Sequence, residues 1–127
     1  MEGALVTKLS PRSVADTVQR LREIAESKGL EVFAVIDHSG AAQTVGLELR
    51  DTKVVIFGSP EAGTPVMQAA PRAALDLPLK VLVWDDEGQT KVSYYSPAAL
   101  AARYDLAAEL VAPLGAIHAL TDAVISG

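Results

Sequence analysis

There is no cysteine among the 127 residues, which excludes disulfides, thiolate metal sites and a cysteine nucleophile. Histidine is nearly as scarce. His38 and His118 lie far apart in the chain and form no i, i+4 ligand pair, so no metal site is expected. The one combination left open joins His38 to carboxylates such as Asp37 or Glu48. Basic residues are few and scattered: 11 Lys and Arg stand against 16 Asp and Glu, for a net charge of −5. A phosphate-binding surface needs clustered cations, so no nucleic-acid partner is expected. Nor does any run read as the roughly 18 to 20 apolar residues of a membrane span. The N-terminus, Met1-Glu-Gly-Ala-Leu-Val-Thr-Lys8, lacks a basic stretch followed by a long apolar one, so no signal peptide is expected. These absences together point to a soluble cytoplasmic protein without a membrane partner.

What is present is an ordinary globular balance, half apolar and about a fifth charged. The length suits one domain over 1–127 with a single core. Ala4–Leu9 alternates as a first strand. Ser10-Pro11 reads as an N-cap with proline at the first helical position. Val14, Val18, Leu21 and Ala25 then recur at helical spacing until Gly29, a left-handed cap. Leu30–Asp37 is a strand whose run Val32-Phe-Ala-Val-Ile36 would place apolar side chains on both faces, which predicts a central or doubly covered position. A loop and short helix follow over 38–46, then an extended segment Leu47–Arg50 and a strand Lys53–Phe57. Leu79–Trp84 and Lys91–Tyr95 have hairpin spacing around Asp85-Asp-Glu-Gly-Gln89. Ser96-Pro97 repeats the cap signal and opens a helix over 98–104. Pro113 starts a last helix with the stripe Leu114, Ile117, Leu120 and Val124. The predicted class is α+β, with a mixed, mainly antiparallel sheet and helices packed on one face.

The stretch Val54-Val-Ile-Phe-Gly-Ser-Pro-Glu-Ala-Gly-Thr-Pro-Val-Met-Gln68 carries the most chemical information. It reads as a strand, a tight loop and a helix opening at Gly63-Thr64-Pro65. In that geometry, backbone N–H groups and the helix dipole receive an anion. Gly58 and Gly63 have the spacing of a phosphate-binding P-loop, but Thr64-Pro65 stands where that loop needs Lys-Ser/Thr, so nucleoside triphosphate binding is not expected. The plainer reading is that the two glycines permit sharp turns and Thr64 caps the helix.

Asp37-His38 at a strand end is a candidate acid–base pair, because histidine titrates near neutral pH. Set against this, adjacent strand residues point to opposite faces, and Asp37 is equally suited to capping the next helix. Tyr94 and Tyr95 alternate, one toward the core or a cavity and one outward. Met67 and Gln68 sit in the helix after the glycine loop, as core filler and surface residue or as ligand contacts. His118 beside Ile117 reads as a packing histidine.

Phe33-Ala-Val-Ile-Asp-His38, Gly46-Leu-Glu-Leu-Arg50, Phe57–Gln68, Leu75-Asp-Leu-Pro-Leu-Lys80 and Ser93-Tyr-Tyr-Ser-Pro97 together resemble one family, the domain-of-unknown-function family 302 or TT1751-like proteins. The resemblance runs over roughly residues 10 to 125. Ser59 and Ser96 depart from it, standing where asparagine and aspartate are common, and both remain turn or capping residues. It implies a TATA-binding-protein-like β-α-β(4)-α arrangement and a homodimer; it does not imply a reaction, and it leaves any cofactor unknown. DNA binding does not follow from such a fold. Three readings result. The first is a small-ligand, metabolite or anion site near His38 and the Gly58–Thr64 loop, lined by Gly58, Gly63, Thr64, Met67, Gln68 and Tyr94. The second is an enzyme with His38 as acid or base, and the third a homodimeric interaction module.

Overall fold

The computed structural model describes residues 5–127. Ala4, assigned above to the first strand, lies outside the described residues. Five strands form one antiparallel sheet in the order β1-β5-β4-β3-β2, with β1 at Leu5–Ser10, β2 at Glu31–Asp37, β3 at Thr52–Gly58, β4 at Leu79–Asp86 and β5 at Gln89–Tyr95. Helix α1 (Val14–Ser27) carries the chain from one sheet edge to the other. Shorter helices follow as α2 (His38–Thr44), α3 (Pro60–Ala69), α4 (Pro97–Tyr104) and α5 (Ala108–Val111), and the last is α6 (Ala116–Ile125). The class is α+β, as expected, with β-α-β(4)-α at its centre.

The hydrophobic stripes explain why the layers pack. Val14, Val18, Leu21 and Ala25 of α1 and Ile117, Leu120 and Val124 of α6 meet Val55, Phe57, Val81, Val83, Val92 and Tyr94 on one sheet face. Burying each large apolar side chain contributes about 1.5–3 kcal/mol. A smaller cluster of Val66, Ala73, Val111 and Leu114 ties α3, α5 and the turns around them together. Leu79 packs against both clusters. Among the described residues the other sheet face carries no such layer, and Leu5, Leu9, Ile36 and Tyr95 stay exposed on it.

Local chemistry follows the sequence at several termini. Gly29 has φ +77° and closes α1, with Leu30 N–H donating to the Ala25 carbonyl. Glu87 and Gly88, both at positive φ, make the β4–β5 turn. Ser96 caps α4, its Oγ accepting from Ala99 N–H, with Pro97 as the first helical residue. Asp105 closes α4 in the left-handed region. Pro113 lies in a short 3-10 turn (Ala112–Gly115) that runs into α6.

Four expectations are corrected. Helix α1 is capped by Ser13, whose Oγ accepts from Asp16 N–H at 3.1 Å. Ser10 remains in β1 opposite Thr90, and its buried hydroxyl bonds Thr17 Oγ1 at 2.8 Å. Strand β2 is an edge strand and not a central one. A register shift between Val32 and Ala34 breaks its alternation and leaves Phe33 48% exposed. Helix α3 opens at Ser59-Pro60, one turn before Thr64, so Gly63 and Pro65 lie inside it and neither Gly58 nor Gly63 needs positive φ. Finally, Ala108–Ile125 is long and apolar enough, at mean hydropathy 1.4 over 18 residues, to cross a membrane by length and composition. Here that stretch is interrupted by the 3-10 turn and turns Leu114, Ile117, Leu120 and Val124 into the core.

Candidate functional site

The apolar strand β3 ends in Gly58, and the chain enters α3 directly through Ser59-Pro60. Above this junction lies a cavity of about 230 Å³ at the seam between the two hydrophobic clusters. Phe57, Leu114 and Ile117 form its buried floor, while Phe33, Thr64 and Pro113 are exposed around it. Gly63 and Met67, one helical turn apart on α3, supply one wall. A Cβ built on Gly63 would meet Met67 Cε at 3.8 Å and Leu77 Cδ1 at 3.9 Å, so the missing side chain leaves this wall thin. Among the described residues, none that lines the cavity is ionisable, and Ser59 and Thr64 carry the only polar side chains of the wall. Ser59 makes no side-chain capping bond, which leaves its hydroxyl available to a ligand.

Of the residues singled out from the sequence, Gly58, Gly63, Thr64 and Met67 line this cavity together. Gln68 is exposed and does not line it. Tyr94, 2% exposed, sits elsewhere under α6, with its hydroxyl 2.6 Å from His118 Nδ1 and Lys8 Nζ 5.3 Å from its ring. Lys8 itself bonds Thr121 Oγ1 at 2.6 Å and Asp122 at 2.8 Å. Partial burial opposes the charge on Lys8, but Asp122 and the Tyr94 hydroxyl outweigh it and hold its pKa above the usual lysine value. These contacts join edge strand β1 to α6 and point a charge inward, which blunts the edge.

His38 is exposed as the first residue of α2 and is not part of the cavity wall. Asp37 caps that helix, accepting from Gly40 N–H at 2.9 Å and the Ser39 hydroxyl at 2.7 Å. Those two donors, with Lys53 nearby, hold the Asp37 carboxyl below the ordinary carboxylate range. Glu48 lies on the exposed 47–50 segment, and Arg50 reaches Asp86 at 3.6 Å. Among the described residues, no three of His, Asp and Glu gather closely enough to hold a metal ion.

The profile of a known family, described as "Domain of unknown function DUF302", matches residues 6–124. The chain belongs to the DUF302 family. This DUF302 domain shares its fold with the uncharacterized conserved protein DUF302 from Bacillus stearothermophilus, at TM-score 0.81 and 20% identity, over 95% of this chain and 94% of the other. It is 40% identical over 107 residues to proteins named fluoride-specific ion channel FluC 1 in Brucella suis biovar 1 and FluC 2 in Brucella melitensis biotype 1. The match takes in 84% of this chain but 42% and 40% of those proteins, so the chain spans about two fifths of the length of these relatives.

Most of the cavity residues that sequence reasoning missed come from distant segments, among them Leu30, Phe33, Leu77, Pro78, Pro113 and Leu114. The only local signal was the density of proline and glycine at 58–65 and the pair Pro71 and Pro78, which mark where the chain turns around the site.

Proposed function

We propose that this DUF302 domain binds a small neutral, mainly apolar ligand in the cavity between Gly58, Met67 and Leu114. The observation that carries the reading is the lining: apolar walls with two hydroxyls, Ser59 and Thr64, and no charged side chain among the described residues. An anion there would lose its hydration without gaining a counter-charge, so a neutral molecule with one hydrogen-bonding end fits better. An apolar cavity of about 150 Å³ accommodates a benzene ring. The present one, about 230 Å³, suits a substituted ring or a short branched chain.

The names of the Brucella relatives favour a further step within this proposal, in which the domain is a ligand-responsive accessory to a membrane channel, itself on the cytoplasmic side. The exposed apolar side chains Leu5, Leu9 and Tyr95 on the uncovered sheet face support homodimerisation as its mode of assembly.

Native mass spectrometry of the protein as purified, beside Met67→Trp, tests the ligand. A bound neutral mass that is released on denaturation and missing from the variant supports the reading. A bound mass retained equally in Met67→Trp contradicts it.

A further inference from the structure

Leu79 separates the apolar cavity from a second pocket of different chemistry, about 160 Å³ in volume, at the start of α4. Its polar side chains are Asp76, Lys80, Tyr95, Ser96 and Arg103, beside apolar walls that include Leu100. We propose that this pocket binds a small organic oxyanion, a carboxylate or a phosphate on a short apolar body. The proposal does not depend on occupancy of the apolar cavity.

Two cations and one carboxylate line the pocket, a local positive excess in a chain whose net charge is −5. Arg103 is held in place: its Nη1 donates to Asp76 Oδ2 at 2.9 Å, and the Tyr104 hydroxyl donates to the same oxygen at 2.6 Å. The remaining N–H groups of the guanidinium have no acceptor among the described residues, so a fixed donor fork stays open to a ligand. Lys80 forms no ion pair among the described residues. Ser96 is 8% exposed; its oxygen takes Ala99 N–H, while its own proton has no acceptor among the described residues. An oxyanion answers all three groups at once, accepting from Lys80, Arg103 and Ser96 in charge-assisted bonds. The volume corresponds to roughly five waters' share of the liquid, which limits the ligand to a small acid and excludes a nucleotide.

The test is a titration of the whole protein with sodium phosphate and, separately, sodium benzoate, followed by amide NMR shifts at ionic strength held constant with chloride. Saturable shifts at Lys80, Ser96, Ala99 and Arg103 are expected. Lys80→Gln removes an exposed charge that makes no ion pair among the described residues and should leave the melting temperature nearly unchanged. It should weaken binding by about tenfold to a hundredfold, the worth of one hydrogen bond to a charged group. A response to phosphate alone assigns the site to phosphoryl ligands, and a response to benzoate alone to carboxylates with an apolar body. Shifts that track ionic strength, that fail to saturate with either anion, or that persist unchanged in Lys80→Gln overturn the proposal.

Discussion

Replacing Gly63 by alanine should stabilise the protein, an unusual expectation for a glycine beside a ligand cavity. Gly63 sits inside α3, with its N–H donated to the Ser59 carbonyl at 2.9 Å. Glycine in a helix interior costs about 0.8–1 kcal/mol relative to alanine, because the unfolded chain loses more backbone freedom on folding. The usual obstacles to the exchange are absent. The backbone does not require positive φ, and the new Cβ would meet Met67 Cε at 3.8 Å and Leu77 Cδ1 at 3.9 Å, ordinary contact distances. Each such contact adds roughly 0.1–0.2 kcal/mol of dispersion. The net gain is then about 1 kcal/mol, or roughly 3–5 °C in Tm for a domain of this size. Thermal unfolding by circular dichroism reads the Tm shift, and urea unfolding reads the free energy. The added methyl also intrudes on the cavity, so affinity for a neutral apolar probe should fall as stability rises. A lower Tm for Gly63→Ala would refute the placement of Gly63 in a relaxed helix.

Three other expectations concern the frame around the site. Ser13→Ala should cost about 1 kcal/mol in urea unfolding, because Ser13 caps α1 through Asp16 N–H; an unchanged midpoint would move the cap elsewhere. Tyr94→Phe should cost about 0.5–1.5 kcal/mol by the same assay, since it removes the bond to His118 but leaves an exposed imidazole that water can serve; no loss would show that bond to be worthless. The Tyr104 hydroxyl, opposed by partial burial and aided by Arg103, holds the folded pKa of Asp76 below its ordinary value of 3.8. That stabilisation is full above the unfolded pKa and is lost as pH falls through the folded value. The Tm gap between the parent and Asp76→Asn should therefore be constant near neutrality and close below about pH 4, and a gap independent of pH would rule the ion pair out.

Much of the frame was legible because it rests on local rules. The α1 stripe from Val14 to Ala25, the Glu87-Gly88 turn, the Ser96-Pro97 cap and the α6 stripe each follow from spacing or from one residue's backbone preference. Where two signals of one kind stood close together, the sequence could not arbitrate. Ser10-Pro11 and Ser13 compete to open α1, as Ser59-Pro60 and Thr64-Pro65 do for α3, and only the strand register before each decides. The apolar run in β2 suggested burial on both faces, but the register shift at Phe33 and the uncovered sheet face admit the same residues at an edge.

The site was legible only on α3 and at the end of β3. Gly58, Gly63, Thr64 and Met67 are neighbours along the chain, whereas Leu30, Leu77 and Leu114 reach the cavity through tertiary packing that no local pattern encodes. Tyr94 faces the helix layer as its alternation allowed, yet it lies over Lys8 and against His118, away from the cavity.

The most direct test of a neutral-ligand cavity is an amide NMR titration with toluene, run on the parent and on Met67→Trp. The account predicts saturable shifts concentrated at Gly58, Gly63, Thr64, Met67 and Leu114, and their loss when the tryptophan fills the space. Shifts that do not saturate, or that fall instead on the exposed sheet face around Leu5, Leu9 and Tyr95, would contradict it.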